Sequence, residues 1–202
     1  MEPGAADELD ALFAQAETRW DEAGPQAALA VLLPALDAFP EEADLHYAVG
    51  TAYEELKQAR LAGEHFERVA SLDAAWDDAH GLGSEDDLDR IERTAVAALA
   101  NLPPRFRDPL DDVAVLLMPR PPLYMVREGF DPRAFGLFEG PNLLAPDDVV
   151  DLPPRIVLFA NNLLAAFPEA DALCREVEVT VLHEVAHYLG YEEEEMHSLG
   201  LE

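Results

Sequence analysis

Basic residues are scarce in this chain. Lys and Arg together number 13 against 42 Asp and Glu, for a formal net charge of −29. Such a surface repels phosphate backbones and anionic lipid, which excludes nucleic acid and membrane surfaces as expected partners and leaves neutral or basic polypeptides. Cysteine is nearly absent. Cys174 stands alone, so no internal disulfide can form and a cross-linked secreted fold is not expected. No stretch approaches the roughly 18 consecutive apolar residues of a membrane span. The opening MEPGAADELDALFAQAE lacks the positive flank and apolar centre of a secretory leader. The cytoplasm is therefore the expected location. What the chain does have is apolar content: half of its 202 residues are hydrophobic, enough for a packed core and against wholesale disorder.

Residues 5 to 75 read as helix, rich in Ala, Leu and Glu, with breaks at Gly24-Pro25 and Pro40. A period of about 34 residues runs through them. Its clearer copy carries Gly50 and Tyr53 on one helix and Ala62, Phe66 and Val69 on the next. A glycine there lets two helices approach and the larger residues fill the groove between them. The pattern resembles a tetratricopeptide repeat. The preceding copy is weaker, with Ala16, Ala28, Leu32 and Pro40 at matching places. The resemblance implies a short protein-interaction module over residues 1–84. Two copies are fewer than an independent solenoid needs, so the module is expected to lean on the domain C-terminal to it.

The acidic stretch AWDDAHGLGSEDD marks the boundary. Ser84 followed by Glu85, Asp86 and Asp87 is a helix start, with acids at the positive end of the dipole. The helix is expected over 86–101, with Leu88, Ile91, Val96 and Leu99 on its apolar side. Then the texture changes. VAVLLM, AFGLFEG and RIVLFA read as strands over 113–118, 134–140 and 155–160, and the Pro- and Gly-rich stretch 119–133 as loop. A long helix is expected over 170–189, stopped by Gly190, and a short one over 193–199. The order predicts an α+β domain with a small sheet over 85–202.

The last helix carries the chemistry, in HEVAH. His183 and His187 are four apart, about 40° around a helix and one turn along it, so both imidazoles can reach one ion. Glu184 is placed to take a proton from a water polarised by that ion, which is the arrangement of metal-assisted peptide hydrolysis. Val177, Val181, Val185 and Leu189 make the helix strongly apolar, and ionisable histidines within it need a partner. Gly190 can adopt the left-handed conformation that ends the helix. The third ligand would come after this glycine, from Glu192, Glu193, Glu194 or His197. For the oxyanion donor, Tyr188, Tyr191, His197 and Arg127 are candidates. Cys174 reads as a core-facing residue, and His46, His65 and His80 as ordinary helix residues.

The segments NLPPRF, VAVLLM, GLFEG, LPPRIVLF and VLHEVAHYLGYEEEE occur in that order. Together they resemble a family of small bacterial zincin-like metallopeptidases with the pattern HExxHxxGxxE. The resemblance covers about residues 87 to 202. It implies a Zn2+ ion held by His183, His187 and Glu193, with Glu184 as general base. It also implies a peptide or protein substrate, paired along GLFEG as an exposed strand edge. Phe138 stands where the family often has Tyr. The expected protein is thus a zinc metallopeptidase fused to a tetratricopeptide-like module. The alternative is a non-enzymatic interaction protein with a structural or vestigial zinc site.

Overall fold

The computed structural model describes residues 3–110, 113–140 and 153–191. In chain order, helices α1 (Pro3–Ala23), α2 (Pro25–Ala35), α3 (Ala43–Glu55), α4 (Ala59–His80), α5 (Glu85–Ala100) and the single turn α6 (Pro104–Arg107) precede strand β1 (Ala114–Met118). Helix α7 (Leu123–Arg127) leads to β2 (Gly136–Glu139), and β3 (Arg155–Phe159) runs directly into α8 (Ala160–Ala166), before α9 (Ala170–Leu189). The class is α+β, mostly helical with a three-stranded sheet. The chain divides into two compact units. One is Met1–Trp76 with Pro121–Pro132, the other Asp77–Arg120 with Arg133–Glu202. No described helix is long and apolar enough to cross a membrane.

The first unit is built from helices whose ends match the breaks in the sequence. Gly24, at φ 80°, separates α1 from α2, and Pro25 begins α2, where its missing N–H costs nothing. Leu29, Leu45 and Val49 are buried at the centre. A Cβ on Gly50 would lie 2.5 Å from the Phe66 ring, so the absence of a side chain is what lets that ring seat between α3 and α4. The stretch expected as loop contains α7, because Val126 has an apolar site to fill. It is fully buried with Ala62 and Phe66.

Two histidines of this unit are less ordinary than the sequence implies. The Nδ1 atoms of His46 and His65 lie 3.0 Å apart, and His46 Nε2 is 3.1 Å from the Pro40 carbonyl oxygen. Burial, and next the neighbouring His46, hold His65 below the ordinary imidazole value of 6.5, against a smaller opposing effect of Glu64. The folded state therefore resists a proton that the unfolded chain accepts. The stability present above about pH 6.5 is lost as the pH falls from there through the folded value. Urea denaturation of the full chain between pH 7 and 5.5 should show this decline. In His65→Gln the decline should be flatter.

The second unit carries the sheet, in the order β1-β3-β2. β1 lies parallel to β3, with Leu116 opposite Val157. β2 lies antiparallel to β3, with Phe138 opposite Ile156 and Glu139 opposite Arg155. Arg155 donates to the Glu139 carboxylate across the strands at 2.5 Å. β2 is an edge strand, paired on one side among the described strands. Helices α5 and α9 cover the sheet, and Ile91, Ile156, Leu158, Val177 and Val181 form the centre of the core. Ser84 caps α5 by accepting from the Asp87 N–H, with three acids in the first turn. Val96, expected on the apolar side, is 55% exposed. The buried stripe is Ile91, Ala95 and Ala98, from which Val96 is rotated by about 100° or more.

A buried polar network ties this unit together. Arg120, at the exit of β1, donates from Nε and Nη2 to the two carboxylate oxygens of Asp77 at 2.6 and 2.8 Å, and from Nη1 to Asn162 Oδ1 at 2.5 Å. Asn161 Nδ2 donates to the same carboxylate at 2.9 Å. Asn162 Nδ2 donates to the Ala134 carbonyl at 2.7 Å. The bidentate fork and its two amide partners satisfy the charges that burial would otherwise penalise.

Candidate metal centre

Helix α9 spans 170–189, as its pattern of valines and its glycine stop imply. Gly190 caps it in the left-handed conformation, φ 83° and ψ 23°. The N–H groups of Gly190 and Tyr191 return to the carbonyls of His187 and Ala186 at 3.0 Å each. This closes the helix one turn beyond His187 and satisfies carbonyls that would otherwise be orphaned.

On the last two turns, the rings of His183 and His187 stand at 81° with their centroids 4.7 Å apart. Their Nε2 atoms face each other at 3.0 Å. Two Zn–N bonds of about 2.0–2.1 Å reach across such a gap with room to spare, so the pair fits a shared ion. Among the described residues no third His, Cys, Asp or Glu side chain joins them. Glu193 and its rivals Glu192, Glu194 and His197, and the short helix expected around them, lie outside the described residues.

Glu184 is buried, 7% exposed, on a helix whose other buried positions are apolar apart from Thr180 and the Tyr188 hydroxyl. Its carboxylate lies against the edge strand. A Cβ built on Gly136 would stand 3.1 Å from Glu184 Oε1 and 2.7 Å from Thr180 Cγ2. Gly136 is thus a site residue that motif and spacing do not reveal. Its one signal is a glycine at the head of a short strand, a mark of close approach by another element. Gly136→Ala should cost about 1–3 kcal/mol by overpacking and displace the Glu184 carboxylate. Denaturation of this variant beside Gly63→Ala measures it, because a Cβ at helical Gly63 meets nothing within 4 Å.

Two oxyanion candidates have other work. Tyr188 is buried. Its hydroxyl donates to the Pro109 carbonyl at 3.0 Å, and its ring packs on Phe138 with centroids 5.1 Å apart. A phenol has one proton to donate, and here it anchors α9. Phe138 fills the space beside it with its ring alone. Arg127 is paired with Glu67 inside the helical unit, Nε to Oε1 at 2.8 Å. Cys174 is half-buried and 3.5 Å from the Thr94 hydroxyl.

Residues 110–201 match the family model of zincin-like metallopeptidases. The match takes in all three strands and α9, and a little under half of the chain. No curated protein matches the chain.

Proposed function

We propose that this protein is a zinc-dependent peptidase whose ion is held by His183, His187 and Glu193. The observation that carries the reading is the pair of Nε2 atoms converging at 3.0 Å on α9, within residues that match a metallopeptidase family. When bound, zinc supplies Lewis acidity, polarising the attacking water and the scissile carbonyl. Glu184 accepts a proton from the water as its oxygen bonds to the carbonyl carbon. It returns that proton to the departing amine nitrogen as the C–N bond breaks. The apolar packing around Val181 and Val185 keeps solvent from the buried side of this carboxylate. The edge of β2 that no described strand pairs offers backbone groups to an extended substrate, and Gly136 keeps that strand close to Glu184.

The helical unit we take to be a tetratricopeptide-like interaction module, and the protein to act in the cytoplasm on peptides or unfolded polypeptides. Its acidic surface disfavours nucleic acid and anionic membranes. Incubation with casein and with a panel of unstructured peptides tests the reading. Zinc-loaded protein should produce fragments, chelator-stripped protein none, and added zinc should restore cutting. No cleavage by the zinc-loaded chain would overturn it.

A further inference from the structure

The helical unit has a groove that the zinc-site chemistry does not use. It encloses about 750 Å³ and is lined chiefly by α1 and α3. Ala16, Ala28 and Ala48 lie among its lining residues; small side chains at these places leave the floor deep. Phe13, Trp20 and Tyr47, each half-buried, also line it. Asp10, Glu17 and Asp21 stand exposed along it. On a helix these three fall at i, i+7 and i+11, a single stripe beside the stripe of Phe13 and Trp20. Among the described residues no Lys, Arg or His lines the groove, and none of the three acids has an ion-pair partner.

We infer that this groove docks a basic, amphipathic segment of a partner protein. Its length and its charge argue for that occupant. Asp10 and Asp21 are eleven residues apart, about 16 Å along the helix, which an extended chain covers in about five residues. Lys or Arg at alternate positions of such a segment would meet the acidic stripe. Arg can also lie on the Trp20 ring, where the quadrupole attracts it. The apolar residues between them would enter the alanine-floored space. A second copy of this chain is disfavoured by a net charge of −29 on each molecule. The inference concerns the helical unit and stands whether or not the zinc reading holds.

The probe is a fluorescein-labelled nonapeptide alternating Arg or Lys with Leu, read by anisotropy on the full chain at about 0.1 M salt, where surface charge still acts over about 10 Å. The wild-type chain should bind it and should not bind the same peptide with Glu for each basic residue. The isosteric variant Asp10→Asn/Glu17→Gln/Asp21→Asn should bind about tenfold more weakly, the sum of three exposed pairs. A charge-matched variant, Asp89→Asn/Glu92→Gln/Glu178→Gln, should bind within about twofold of wild type, since it removes no direct pair. In a Trp76→Phe background, Trp20 becomes the single tryptophan, and its emission should change on binding. Equal weakening in both triple variants would reduce the effect to diffuse charge and overturn the inference. So would an unchanged Trp20 emission or the absence of wild-type binding.

Discussion

Glu184→Gln should keep its zinc and lose peptide hydrolysis by about 10²–10⁴-fold, the range over which a positioned general base contributes. The amide has the shape of the carboxylate and can still sit against Gly136 and Thr180, but it cannot accept a proton at neutral pH. The loss should therefore fall on kcat, with zinc content and unfolding midpoint little changed. A merely structural role for this buried acid would show the reverse, a lowered midpoint with turnover preserved in the folded fraction. Undiminished hydrolysis in the variant would remove Glu184 from the chemistry.

Arg120→Ala should cost about 3–5 kcal/mol of stability, because it strands the Asp77 carboxylate in the interior. The side chains of Arg120 and Asp77 are 11% and 7% exposed, so water cannot replace the lost donors. Asn162 Oδ1 loses the Arg120 hydrogen bond as well. Arg120→Lys keeps the charge but not the planar fork, and should recover only part of the loss. Urea denaturation of the three proteins at one pH measures the effect. A cost below about 1 kcal/mol for Arg120→Ala, the range of an exposed pair, would contradict it.

The helices of this chain were legible where local chemistry sets their limits. Ser84 with its three acids, Gly24-Pro25 and Gly190 mark ends by capping and backbone geometry, which need no tertiary information. β1 and β3 were legible as short apolar runs with β-branched residues, and β2, which has none, as a short aromatic run; it is shorter than expected, ending at Glu139. What was hidden depends on distant partners. The run RIVLFANNLLAAF changes from strand to helix at Ala160, but every residue from Ile156 to Leu164 is buried. A segment covered on all sides shows neither the two-residue nor the 3.6-residue alternation. Helix α7 reads as loop in the sequence because prolines and a glycine flank its five residues on both sides, and Val126 reveals its purpose only beside Ala62 and Phe66. Arg120 was one cation in a proline-rich stretch until Asp77, far away in sequence, came to meet it.

The candidate site divides the same way. The four-residue spacing of His183 and His187 fixed their shared helix face in advance. The closeness of Glu184 to Gly136 did not follow from spacing, since it joins a helix to a strand more than forty residues earlier. The engagement of the Tyr188 hydroxyl with Pro109 was likewise a matter of packing, which the sequence alone does not show.

Zinc bound per chain, in protein purified without added metal and compared with His183→Ala and His187→Ala, tests the central claim most directly. One equivalent in the wild type, lost in both variants while their helical content is kept, is the expected result. Wild-type protein holding less than a few tenths of an equivalent, or variants holding as much as the wild type, would contradict it.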